Sequence, residues 1–417
     1  MKSVLLILGF LTLSTVLYSQ VEQKKYDFEN KILQWQKEYN VEFVAIGIIE
    51  NGQIEYTKVF HKLHGATDSI QHMQFDAASL TKPVFANAVL QLIDSNILDL
   101  DERIYPFGLH SEIKNIDMHK KLTVRHVLSH QSGLPNWRYM TLSGELDFYH
   151  EPGSRYTYSG EGYEYLREIL DLKLGASIQD YIDSLVFKPA EMYESKIGSA
   201  AGGMNTTIHD YTKFCKYIME GAGITNSLYS TMHKNHTYIK PNMYYGLGWE
   251  VSEALDKNNN YAIFHSGAGS GVKNFTVIFP KDQSSVTVFT KGGDNGLLIY
   301  ENIVRSLSES GNELFNRINK QYAPERQIIV AEKKLEDYVG QYQLQQKIKF
   351  NIFIDKGNLR IELMGQDLML FPISKDEFIA NESTSLRFIR DDAGKIESLI
   401  IGQYGIDAFS CKKLANQ

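Results

Sequence analysis

A serine hydroxyl stands three residues before a lysine in the stretch Asp76-Ala-Ala-Ser79-Leu-Thr-Lys82-Pro83. Spacing of three brings both side chains to one face of a helical turn, so an amine sits beside the hydroxyl it would deprotonate, and the amides of a helix N-terminus lie beside the same oxygen. The spacing recurs at Ser111/Lys114, Ser270/Lys273 and Ser410/Lys413, so the pair gains meaning only with partners. Two stretches offer them. Tyr158-Ser159-Gly160 lies where a turn-rich loop feeds a helical pattern, placed to project into a cleft. His265-Ser266-Gly267-Ala268 lies along a strand-like run whose glycines allow close approach of a ligand or backbone.

The elements that must position these groups are legible from periodicity. Apolar spacing predicts a helix from Ser79 to about Ser95, and Pro83, which has no N–H to donate, restricts its start to almost Ser79 itself. Residues 21–39 predict an amphipathic helix. Val41–Glu50 and Ile54–Phe60 around Asn51-Gly52 predict a β-hairpin. Leu122 to Pro135 carries a Thr N-cap, a two-turn apolar stripe and a Gly-x-Pro stop, and His126 and His130, four apart, are expected as satisfied histidines of that short helix. Tyr244–Glu250, Ala262–Gly271, Phe275–Phe279 and Val286–Thr290 predict successive strands of an antiparallel sheet. The chain turns polar from about residue 310 to 332, and beyond it alternating runs such as Ile348–Ile354 and Leu359–Leu363 predict a small antiparallel barrel or curled sheet.

The 417 residues suffice for one large and one small domain with sizeable cores. A net charge of −7 and the lack of a basic run interleaved with aromatics exclude nucleic acid as a partner. Met1-Lys2-Ser3 followed by the apolar run Val4–Leu17 predicts a secretory signal peptide over residues 1–20, with a secreted or periplasmic mature chain, and an uncleaved anchor as the alternative. Cys215 and Cys411 are expected to be small buried hydrophobes. No Cys/His cluster has zinc spacing and no phosphate-binding or dinucleotide loop is present, so neither a metal nor a cofactor is expected.

Taken together, Ser79-x-x-Lys82, Tyr158-Ser159-Gly160 and His265-Ser266-Gly267 occur in the order and spacing of one known active site. From about Phe28 to Ile303 the chain resembles the penicillin-recognising serine hydrolases, nearest the class C β-lactamase branch with its D,D-peptidases, D-aminopeptidases and esterases. Leu122–Pro135, Ala201-Gly-Gly203 and Tyr245-Gly-Leu-Gly-Trp249 look like framework phrases of that family. The tail resembles the small β-domains appended to such enzymes. The resemblance implies an α+β fold, an antiparallel sheet flanked by helices with an all-helical subdomain, over residues 21–310, then a linker over 311–332 and a C-terminal antiparallel β-barrel-like domain over 333–417. It implies Ser79 as nucleophile, Lys82 and Tyr158 as the acid/base pair, and the amides of Ser79 and Ala268 around the oxyanion. Ser159, Gly160, Ser266 and Gly267 would line the substrate site. His265 stands where many relatives carry Lys, and activity sensitive to pH between roughly 6 and 8 is expected from its titration. Gly160 stands where relatives most often carry Asn, so altered specificity is expected, with Glu161 or another polar group reaching the space. The expected substrate is a small ester, a D-amino-acid peptide or a β-lactam. The alternative is a catalytically idle protein binding peptidoglycan fragments or a protein partner.

Overall fold

The computed structural model describes residues 23 and 25–414 other than 67–69, 108–111, 270, 325–326, 345–347, 364–365, 382 and 404–405. The signal peptide expected over residues 1–20 lies outside the described residues. The first unit is built on a nine-stranded antiparallel sheet. Its first long strand in chain order, Phe43–Glu50, lies inside the sheet and is buried along almost its whole length, because both faces of the sheet are covered. Asn51 and Gly52 take φ of 49° and 73°, the left-handed pair that a two-residue hairpin needs, and return the chain as Gln53–His61. On its other side Phe43–Glu50 pairs with Ser284–Lys291, and the sheet continues through Val272–Phe279, Ala262–Gly269 and the short strands Glu250–Ser252, Met243–Tyr245 and Thr237–Lys240.

Strand alternation divides the side chains between two cores. Val44, Ile46 and Ile48 join Phe264, Phe275 and Val277 against a helix over residues 25–38 and the helix Gly296–Leu307. Ala45 and Ile49 face the other way, into a larger core with Val84, Phe85, Leu166, Phe214 and Trp249. That second layer holds the helices Thr81–Asp94, Val124–Leu128, Gly160–Leu174, Ile178–Ile182, Ile208–Met219 and Asn226–Met232. It is the α+β arrangement of sheet and helical subdomain that the resemblance implied.

Three local expectations change. Tyr244–Glu250 is not one strand: the chain turns between Met243–Tyr245 and Glu250–Ser252, where Gly248 takes φ 85° and packs against Ala86 of the Thr81–Asp94 helix. A Cβ on Gly248 would stand 2.3 Å from the Ala86 Cβ, so the turn seats the sheet on that helix only as glycine. The polar stretch after 310 begins with a helix, Glu309–Ile318, whose Leu314 and Phe315 are buried in the first unit's core; a mostly polar surface hid its narrow apolar face. The third is at Val124–Leu128, which is shorter than expected and leaves His130 beyond its end.

The tail forms a second nine-stranded antiparallel sheet. Its two terminal strands in spatial order, Gln366–Met369 and Phe371–Pro372, are joined by Leu370 alone, so the sheet curls back into a nearly closed barrel around Tyr342, Phe350, Phe378, Phe388 and Leu399. The two units touch beside the loop that follows Pro135: the Leu142 amide donates to the Asp407 carbonyl at 3.2 Å. A small cleft there is lined by Asn136, Trp137, Met140 and Thr157 from one unit and Gln403 and Ala408 from the other. Cys215 and Cys411 are both buried and free.

Candidate active site

Ser79 lies in the 3₁₀ turn Ala78–Leu80, which runs directly into the helix Thr81–Asp94. The start predicted from Pro83 is therefore close: Pro83 occupies the first turn, where its missing N–H has no partner to lose. Ala78, just before the serine, holds φ 47°, a left-handed conformation unfavourable for a residue with a Cβ. Its amide donates to Asp76 Oδ1 at 2.8 Å, its carbonyl accepts from Thr81 Oγ1 at 2.6 Å, and Asn274 Nδ2 donates to the Asp76 carbonyl at 2.8 Å. These bonds over-determine the turn and hold the strain beside the serine.

Lys82 is completely buried. Its Nζ stands 3.3 Å from Ser79 Oγ and donates to the Ala201 carbonyl at 2.6 Å. The Ala201 amide in turn donates to Glu164 Oε1 at 2.7 Å, on the helix Gly160–Leu174. Burial disfavours the ammonium and lowers the Lys82 pKa to about 7, with Glu164 pulling it partly back. A lysine poised near 7 beside a serine hydroxyl has the proton affinity a general base needs.

Tyr158 is half-buried, with the Lys82 amine 4.8 Å from its ring centroid. The structure thus brings Ser79, Lys82 and Tyr158 together from two separate helix starts. His265, on the strand Ala262–Gly269, joins the same cluster, its ring 6.2 Å from that of Tyr158. Its Nδ1 lies 2.7 Å from the Ser266 carbonyl and its Nε2 3.0 Å from the Tyr245 hydroxyl. A carbonyl only accepts, so Nδ1 carries the proton and Nε2 accepts from Tyr245. Burial foremost, then the Lys82 charge, lowers the His265 pKa to about 3. The expectation that His265 titrates near neutrality is corrected: it is a neutral, doubly engaged imidazole, and Lys82 is the group in that pH window.

Gly267 faces the serine turn. A Cβ there would stand 2.6 Å from the Ala77 carbonyl oxygen and 3.3 Å from the Ser79 amide nitrogen, so only glycine lets this strand edge lie against the turn. Ala268 and Ser266, on the alternate positions, are exposed. Ser159 is placed differently from the expectation. It caps the helix Gly160–Leu174, accepting from the Gly162 amide at 2.9 Å and donating its single proton to the Pro135 carbonyl at 2.8 Å. No hydroxyl proton remains for a substrate, so its expected place in substrate binding gives way to a capping role.

Gly160 leaves no open space either. A Cβ would stand 2.8 Å from the Trp137 ring and 2.9 Å from the Asn136 carbonyl, to which the Gly160 and Glu161 amides both donate at 3.0 Å. Glu161 does not reach across: its carboxylate accepts from the Arg138 amide at 2.9 Å and from the Arg138 guanidinium. Of the rival serine–lysine spacings, Ser410 and Lys413 lie on the strand Ile406–Lys413, where three residues apart means opposite faces. Ser111 and Ser270 lie outside the described residues.

Several residues of the cluster escaped the sequence reading: Tyr163, Glu164, Ala201, Tyr245 and His130. Ala201 and Tyr245 belong to phrases read only as framework, and Tyr163 and Glu164 are ordinary helix positions. His130 was read as a helical histidine, yet it sits past the helix end, completely buried, with its ring 4.1 Å from Tyr158. Among the described residues no cluster of His, Cys, Asp and Glu could hold a metal ion.

An antiparallel sheet seated on a helix that presents serine and buried lysine to a tyrosine is the framework of a serine hydrolase. The Beta-lactamase family matches residues 28–304, and the chain belongs to that family. Residues 324–413 match a domain of unknown function, DUF3471. The chain is similar to penicillin-binding protein 4* of Bacillus subtilis, with 23% identity over 84% of this chain and 89% of that protein. Its fold is like that of the octameric penicillin-binding protein homologue from Pyrococcus abyssi, with a TM-score of 0.58 and 18% identity over 93% of this chain and 99% of that one. It is also like that of EstCE1, a hydrolase with promiscuous acyltransferase activity, with a TM-score of 0.58 and 15% identity over 71% of this chain and 100% of that one.

Proposed function

We propose that the protein cleaves esters or amides through an acyl-enzyme on Ser79, with a preference for substrates that carry no carboxylate beside the scissile bond. The observation that carries this reading is the 3.3 Å approach of a completely buried lysine, its pKa near 7, to the Ser79 hydroxyl. Ser79 Oγ attacks the carbonyl carbon while its proton passes to neutral Lys82. The carbonyl π electrons move to oxygen, and the oxyanion forms against the amides of Ser79 and Ala268 at the edge that Gly267 keeps close. As the tetrahedral adduct collapses, the leaving group takes a proton relayed through the Tyr158 hydroxyl from Lys82. Water, deprotonated by the same pair, then releases the acid and restores the serine.

The uncharged preference follows from the charges around the pair. His265 and His130 are held neutral by burial, and Lys82 carries little charge above pH 7. A carboxylate entering this cluster would lose hydration without a permanent cation to replace it. Intact mass after exposure to a fluorophosphonate and to a penicillin, together with turnover of p-nitrophenyl acetate, tests both parts. Fluorophosphonate labelling and ester turnover with no penicillin adduct are expected. Penicillin turnover faster than that of the ester would overturn the preference, and a folded protein that reacts with none of the three would be a binder, not an enzyme.

The close packing at residue 160 yields a separate prediction. Gly160→Asn is expected not to create penicillin recognition but to push Trp137 and the Asn136 backbone aside, lowering the melting temperature and ester turnover together. A stable variant with new penicillin turnover would contradict it.

A further inference from the structure

His130 has no part in the acyl-transfer scheme above, yet its contacts converge on one residue. Its backbone carbonyl accepts from the Thr157 amide at 2.7 Å and its Nδ1 accepts from the Ser159 amide at 3.0 Å. The amides on either side of Tyr158 are thus both held by the same histidine. Its ring lies against the Tyr158 ring at 4.1 Å between centroids, with 34° between their planes. On its remaining sides stand Tyr245 at 4.6 Å and Tyr163 at 5.1 Å.

Two features mark the arrangement as one that stability alone does not favour. His130 takes φ 54°, an unfavourable conformation for a residue of its size. Because Nδ1 accepts an N–H, the proton of the neutral ring is on Nε2, and that atom is buried with no hydrogen-bond partner among the described residues. An unpaired buried donor and a left-handed backbone each work against folding, and both are set at one residue beside the tyrosine. Burial foremost, then the charge that Lys82 carries when protonated, opposes protonation of the ring, so His130 is no proton carrier.

We infer that His130 is the positioning residue of the acyl-transfer reaction, fixing the Tyr158 ring and both of its flanking amides so that the phenol meets the Ser79–Lys82 pair. This rests on the reading of Tyr158 as a proton relay. Asparagine is the informative replacement: its Oδ1 extends from Cγ as the His130 Nδ1 does, it tolerates a left-handed φ, and it lacks the ring. Alanine removes both the acceptor and the ring.

The test is a double-mutant cycle on p-nitrophenyl acetate hydrolysis, with His130→Ala and His130→Asn each made in the wild type and in Tyr158→Phe, and folding followed by circular dichroism. In the wild-type background His130→Ala is expected to lower kcat by about 10²-fold with little change in KM, and His130→Asn by about tenfold. In the Tyr158→Phe background both losses are expected to shrink to about threefold or less, because the hydroxyl being positioned is already gone. Equal losses in the two backgrounds, or a folded His130→Ala variant within about twofold of wild type, would overturn the inference. If the alanine variant does not fold, the asparagine cycle decides by the same criterion. A wild type that hydrolyses the ester while Tyr158→Phe matches it would overturn the relay reading and this inference together; an active Tyr158-dependent enzyme indifferent to His130 would overturn this inference alone.

Discussion

Ser79→Ala is expected to abolish fluorophosphonate labelling and to lower kcat for p-nitrophenyl acetate by about 10⁴-fold or more, the usual loss when a covalent nucleophile is removed. The fold should survive. Ser79 is half-buried, and among the described residues its hydroxyl meets the Lys82 amine alone, at 3.3 Å. The turn that holds it is fixed by Asp76, Asn274 and Thr81, none of which bonds the serine side chain. Loss of activity with an unchanged melting curve is therefore the expected pair of results. A label that persists on the alanine variant would place the nucleophile elsewhere, and intact mass with peptide mapping reads this directly.

For Lys82 the expected result is an acid limb in kcat/KM centred near pH 7. The proton must leave Lys82 before the amine can accept one from Ser79, so activity rises as pH passes up through about 7, the value to which burial lowers this lysine. His265 contributes no second limb there, since its pKa is lowered to about 3. Lys82→Met is expected to remove the limb and to cost about 10²- to 10⁴-fold in kcat. It has a stability corollary of definite sign. The unfolded chain holds the lysine proton up to its ordinary value of 10.5, whereas the folded chain releases it at about 7. Between those values unfolding takes up a proton, so this lysine's penalty is full below about pH 7 and is relieved as pH rises towards 10.5. The methionine variant should accordingly gain most stability over wild type below pH 7. A pH-independent difference in melting temperature, or a wild-type rate flat from about pH 5 to about pH 9, would refute the buried-base account.

The residues that meet at Ser79 differ in how visible they were. Ser79 and Lys82 share one turn, and local geometry alone pairs them. Tyr158 and His265 were legible because each sits in a short phrase, one before a helix start and the other along a strand, in an order that matched a known site. His265 was nevertheless misjudged, because the titration of an imidazole depends on what surrounds it, and both its burial and its bond from Tyr245 are contributed by other strands. Gly160 was read as an opening when it is a place of close packing, since the Trp137 ring arrives from a loop 23 residues earlier in the chain. Ser159 was read as a cleft residue because a hydroxyl's partner is invisible until the Pro135 carbonyl is placed beside it.

By itself the sequence determined what depends on period and turn chemistry: the Asn51-Gly52 hairpin, the helix behind Ser79, the antiparallel strands, the β-rich tail and the serine–lysine pair. These follow from interactions within a few residues, which a one-dimensional pattern records. The tertiary structure alone decided the properties that depend on desolvation and long-range packing. It sealed Lys82 from water and brought its pKa near 7, silenced His265, closed the space at Gly160, and turned His130 out of a helix into the side of Tyr158. Burial is a sum over neighbours from the whole chain, and the chemistry of this site is set by that sum.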